Sequence, residues 1–146
     1  MKKIMLIVFC IFLAACSGKT EQVNNFRRDD NYKTCIYLPT DWGVKSSNYG
    51  KYYSNLEDII IINKLEKNIK DDLKQSINFY RPDLLSLNDE LEITKTDDYF
   101  SSVIKNEKVI HMISKEFEDF DQKFLLTIIS DKQERAYEIY KKVFRQ

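Results

Sequence analysis

The chain has 146 residues, room for one domain of ordinary size and none for a second catalytic module. At 43% hydrophobic and 32% charged it holds enough apolar surface for a core, which excludes global disorder. Lys plus Arg and Asp plus Glu each number 23, so no cationic surplus points to DNA or RNA. With three Gly, two Pro and one His, the usual parts of phosphate loops, zinc sites and His-based triads are scarce, and no cofactor or metal is expected.

Met1, Lys2 and Lys3 form a short basic start, and the stretch from Ile4 to Ala15 carries no charge. That stretch is shorter than the roughly 20 residues a membrane span needs, and it ends in small residues, so residues 1–15 read as a cleaved signal peptide. Its ending, Leu13-Ala14-Ala15-Cys16, resembles the lipobox of bacterial lipoproteins at every position. The resemblance implies recognition of Leu13, Ala14 and Ala15 by the signal peptidase. It also implies diacylglycerol on the sulfur of Cys16 and acylation of the new amino group. Several acyl chains, each methylene contributing about 0.8 kcal/mol, would anchor the protein durably. The same analogy, with Ser17 rather than Asp after the cysteine, places it on the cell membrane or outer membrane, facing the periplasm.

Cleavage removes Cys10 and lipid consumes the sulfur of Cys16, which predicts no intramolecular disulfide for Cys35, the third cysteine. A buried small hydrophobe is the favoured role for Cys35. A reactive thiol would need a neighbouring cation or helix terminus. Residues 16–32 are mostly polar and read as a lipidated flexible tether, with a reach of roughly 20 Å for its polar stretch. Residues 33–146 are expected to form a single α+β domain.

Within that domain, residues 34–38 predict a strand closed by Pro39, and residues 44–53 read as turn-rich and aromatic. Ile59, Ile60, Ile61 and Ile62 are consecutive β-branched residues and predict a central strand covered on both faces. Leu65, Ile69, Leu73, Ile77 and Tyr80 recur at helical spacing. Strands are expected around Leu91 and Ile93, over 99–105, over 109–117 and over 124–129, with a hairpin turn at 105–108 and an acidic turn at 118–121. Ser130 and Gln133 have capping-box spacing, ahead of a last helix with Ala136, Tyr137, Tyr140, Val143 and Phe144 on its apolar face. The expected fold is α+β, an antiparallel β-sheet covered by two amphipathic helices.

The segment Ile36-Tyr37-Leu38-Pro39-Thr40-Asp41-Trp42 resembles the opening strand of PsbP/DcrB-like domains, and the strand and closing helix from Phe124 to Phe144 are similar to their end. The short, glycine-poor middle departs from that family. The resemblance implies binding rather than a shared chemistry.

Candidate chemistry is sparse. His111 alternates onto the same face as Val109 and Ile113, which predicts a partly buried, satisfied histidine. Paired across the sheet with Cys35 it would give a thiol and base for a hydrolase, although no local spacing supports that arrangement. Glu118, Asp119 and Asp121 lack the glycine and spacing of a calcium loop and read as a solvated turn. Asp71 and Asp72 are expected on a helix surface. Trp42, Tyr49, Tyr52 and Tyr53 lie among polar residues with Lys45 and Lys51. They form either a partner-binding surface or one end of the core. The leading expectation is a non-enzymatic, lipid-anchored envelope lipoprotein that binds a protein partner, as an immunity or inhibitor protein or an accessory subunit. The alternatives are a small-ligand-binding lipoprotein and a hydrolase using Cys35 and His111.

Overall fold

Alternation in Ile59 to Ile62 gives one strand two apolar faces, and the molecule is arranged around it. The computed structural model describes residues 25–85, 90–105 and 109–145. Nine strands and two helices follow in the order β1 (Phe26–Arg28), β2 (Tyr37–Pro39), β3 (Gly43–Ser47), β4 (Gly50–Ser54), β5 (Ile59–Lys64), α1 (Ile69–Tyr80), β6 (Glu92–Lys95), β7 (Phe100–Lys105), β8 (Val109–Asp119), β9 (Gln122–Ser130) and α2 (Gln133–Phe144). Seven strands form one antiparallel sheet in the order β3-β4-β5-β9-β8-β7-β6, and β1 and β2 make a separate two-stranded ribbon. The fold is an antiparallel β-sheet with two helices, of the α+β class. The expected signal peptide, the lipobox with Cys16, and the centre of the turn at 105–108 lie outside the described residues.

The register explains why β5 tolerates no polar residue until Asn63. Ile60 pairs with Ile128 and Ile62 with Leu126, while Ile59 pairs with Ile129 and Ile61 with Thr127. Side chains alternate between the faces, so Ile60 and Ile62 join Tyr53, Ile113, Leu126 and Ile128 in one buried cluster with Ala136, Ile139, Tyr140 and Val143 of α2. Ile59 and Ile61 enter a second cluster with Tyr52, Met112, Leu125 and Ile129, to which α1 contributes Leu73 and Ile77. The ribbon adds Phe26, Tyr37 and Leu38 to the first cluster.

Several sequence expectations are corrected here. Residues 26–28 are not tether: Phe26 is buried and pairs with Pro39, because burying one aromatic ring repays the ordering of a three-residue strand. Residues 44–53 form the β3–β4 hairpin rather than an irregular stretch, with Ser47 opposite Gly50. β3 is exposed along its whole length, so it carries no hydrophobic alternation to read. The capping box does not form. Lys132 is the N-cap of α2 and makes no side-chain cap bond, since the Ser130 hydroxyl is buried and donates to Asp58. On α2 Ile139 is buried with Ala136, Tyr140 and Val143, whereas Tyr137 is exposed. Asp72 is buried rather than on the helix surface and accepts the backbone N–H groups of Glu66 and Lys67 at 2.8 Å. For α1 itself, Asn68 caps the start by accepting from the Asp71 amide at 2.9 Å.

Candidate functional site

Between β4 and β5 the chain turns through Asn55, Leu56 and Glu57. The Asn55 Oδ1 accepts the amides of Glu57 and Asp58 at 2.8 and 2.6 Å, and the Asn55 amide donates to the Asp58 carbonyl at 3.1 Å. Leu56 stands at the tip of this side-chain-mimicked turn, and its relative exposure is 103%. A single exposed leucine is ordinary at a protein surface; what distinguishes Leu56 is that it borders a cleft.

The turn is fastened from below. The Asp58 side chain is 0% exposed, and its carboxylate accepts the Ser130 hydroxyl at 2.8 Å and Arg135 Nε at 2.6 Å. Arg135 also reaches Glu57, with Nη2 3.3 Å from the carboxylate. The hydrogen bond to Asp58 pushes the Arg135 guanidinium further above its ordinary range, against some desolvation, with Coulombic help from Asp58, Glu57 and Asp131. These bonds join the start of β5, the end of β9 and the first turn of α2.

Leu56 overhangs a cleft of about 760 Å³. Ile59, Leu84, Ile110 and Ile129 supply apolar lining, and Arg81 and Asp83 also line it. Arg81 Nε and Nη2 donate to the two Asp83 oxygens at 2.8 and 2.7 Å. That paired hydrogen bond raises the Arg81 guanidinium and holds the Asp83 carboxyl below its ordinary value. Asn55, Glu57, Ser130 and Asp131 line it as well, so the cleft is of mixed character, with apolar and polar lining in nearly equal parts.

The four aromatics weighed between a partner surface and one end of the core do not come together. Tyr52 and Tyr53 are buried on opposite faces of the sheet, as neighbours in a strand must be. Tyr52 stacks on Tyr80 with centroids 5.1 Å apart. Trp42 is half-buried and meets the Phe26 ring at 6.0 Å. Tyr49 alone is exposed, at 40%, against Phe79. Core and edge packing therefore accounts for Trp42, Tyr52 and Tyr53.

Cys35 is half-buried and disulfide-bonded. The expectation of no intramolecular disulfide concerns the mature lipoprotein, without Cys10 and with lipid on Cys16, and both of those residues lie outside the described ones. His111 is half-buried and pairs with Val103 and Ser130 in the sheet. Asp119 is buried and accepts the Lys33 amide at 2.7 Å, which corrects the reading of a wholly solvated turn. Among the described residues no three His, Cys, Asp or Glu side chains are grouped to hold a metal ion, and no helix is long and apolar enough to cross a membrane.

Sequence reasoning missed Leu56, Asp58 and Arg135. The available signal was Asn55 three residues before Asp58, a spacing that suits a side-chain-closed turn ahead of a strand. No protein-family model matches the chain, and none of the curated proteins matches it.

Proposed function

We propose that this chain is a lipid-anchored bacterial envelope protein, without enzymatic activity, whose folded domain binds a protein partner through the cleft beneath Leu56. The observation that carries the reading is the full exposure of Leu56 on a turn held by the buried Asp58 carboxylate. A preorganised apolar side chain at the edge of a cleft of mixed apolar and polar lining binds with little ordering cost and fits a pocket on its partner. An immunity or inhibitor protein and an accessory subunit of an envelope assembly both use such a surface.

The rest of the proposal comes from the sequence. The Leu13-Ala14-Ala15-Cys16 ending supports cleavage after residue 15 and lipid on Cys16, on the cell membrane or outer membrane with the domain facing the periplasm. In the finer fold reading, a sheet covered by two amphipathic helices follows the cleaved signal peptide and a tether. The likeness of residues 36–42 and 124–144 to PsbP/DcrB-like domains is part of this reading and favours binding over catalysis.

The test is cross-linking in cell envelopes with a photoreactive residue at position 56, against a Leu56→Asp variant. A single protein cross-linked at position 56, and absent from pull-downs of Leu56→Asp, supports the docking surface. Equal recovery with the variant overturns it. Because Leu56 has no buried contact, the variant leaves folding intact, and its unfolding midpoint serves as the control.

A further inference from the structure

A second cavity lies away from the Leu56 cleft, between the outer part of the sheet and the first turns of α2. Val103 pairs with His111 and Ser101 with Ile113. These side chains share the face on which α2 packs, since Ile113 lies in the α2 cluster. Ser101, Val103 and Ala136 are small for their places, and they leave a pocket of about 390 Å³, within the size range of small-molecule sites.

Its lining is electron-rich. Tyr99 and Tyr137 line it, with ring centroids 6.2 Å apart and planes at 50°. His111 also lines it. Glu134 is the one acidic residue lining the pocket, and no Lys or Arg lines it among the described residues. The amino end of α2 contributes about half a positive charge, less than the full negative charge of Glu134. Lys141, one turn along α2, lies 5.2 Å from the Tyr137 centroid without lining the pocket, so that ring already takes a cation as neighbour.

We propose that this pocket binds an organic ammonium ion carrying an apolar body. The tyrosine rings attract a cation through their quadrupoles, Glu134 supplies the opposite charge, and Val103, Ile113 and Ala136 receive the apolar part. An anion would face Glu134 with no basic side chain to meet it. The pocket shares none of the residues that line the Leu56 cleft, so this site and the partner surface stand or fall separately.

The experiment is calorimetric titration of the purified protein with three ligands of nearly equal shape: 2-phenylethylammonium, 2-phenylethanol and phenylacetate. The expected result is about tenfold tighter binding of the ammonium than of the alcohol, and no detectable binding of phenylacetate. Glu134→Gln and Tyr137→Leu, both at exposed positions, are expected to erase the preference for the cation while leaving the unfolding midpoint in place. No binding of the ammonium, equal affinity for the alcohol, or a cation preference that survives both substitutions would overturn the proposal.

Discussion

Nε of Arg135 stands 2.6 Å from Oδ2 of Asp58, closing a contact across 77 residues of chain onto a carboxylate with no exposed surface. Arg135 itself is well exposed, so the pair is asymmetric: removing the arginine strands a buried charge, whereas removing the carboxylate releases an arginine that water can serve. Arg135→Ala is therefore expected to lower stability by about 2 kcal/mol, and Asp58→Asn by less, about 1 kcal/mol. Urea unfolding of both variants checks the order. Because these bonds also hold the turn below Leu56, Arg135→Ala should weaken partner capture even though the arginine does not line the cleft.

Of the two glycines among the described residues, Gly50 is the one where a side chain is excluded outright. Its φ is +149°, and a Cβ there would lie 1.9 Å from the Ile62 carbonyl oxygen. The Gly50 carbonyl also accepts the Tyr80 hydroxyl at 2.9 Å, so the hairpin, β5 and α1 converge on it. Gly50→Ala is expected to cost about 2–4 kcal/mol, as a clash with central backbone in an unfavourable conformation does. A thermal midpoint within a degree or two of the parent's would show that β4 shifts away at little cost.

How far the fold could be read from the sequence varied with how strongly each element depends on its own residues. β5 was legible because four isoleucines suit a doubly covered strand wherever they occur, and β6 to β9 followed from alternation and turns. β3 was illegible because Gly43 to Ser47 is exposed throughout and is a strand only through its pairing with β4. β1 was hidden for a similar reason: its three residues bury one ring. The site was the least legible part. Asp58 looks like any loop carboxylate until Ser130 and Arg135 arrive from the far end of the chain, and only then does the exposure of Leu56 acquire meaning. Conversely, Trp42 and the tyrosines suggested a surface because aromatic residues suit interfaces and cores alike.

The proposed anchor makes a chemical demand on the cysteines. A sulfur in a thioether forms no disulfide, and cleavage after residue 15 removes Cys10, so the mature lipoprotein has one sulfur left to alkylate after reduction, that of Cys35. Membrane-extracted protein, reduced and alkylated, is expected to carry a single label on Cys35 and a diacylglycerol mass on the peptide beginning at Cys16. Label on Cys16 as well would sink the anchor. The same result would leave the disulfide at Cys35 as the resting state of the domain.

The β8–β9 hairpin turns through Phe120 and Asp121 at φ +48° and +64°, the paired left-handed conformation that favours Asn-Gly. Phe120 is 69% exposed and meets the Lys33 ammonium, 4.1 Å from its ring centroid. The left-handed strain of about 1–2 kcal/mol per residue exceeds the roughly 0.5–1 kcal/mol of an exposed cation–π contact. Phe120→Asn with Asp121→Gly should therefore raise stability by about 1 kcal/mol in urea titration. A loss instead would mean that the phenyl ring contributes more to the folded state than this single contact.

Alkaline pH offers a test of the core around the ribbon. The Tyr32 ring sits edge-on to Phe117 and Phe124, at 5.4 and 5.5 Å. Burial, then Asp29 and Asp119, pushes its hydroxyl up to about 12 from the ordinary 10.0. Burial, followed by Asp29 and Tyr32, raises the Tyr53 hydroxyl as well. Both groups hold their protons more tightly in the folded state, so the unfolded chain ionises first. Stability is fully present below pH 10 and is lost as the pH rises from 10 through 12. Unfolding midpoints measured between pH 9 and pH 11 should fall over the upper half of that range. Tyr32→Phe keeps the ring and removes the ionising group, so its midpoint should fall less steeply over the same interval. Identical slopes for variant and parent would place the alkaline sensitivity elsewhere in the chain.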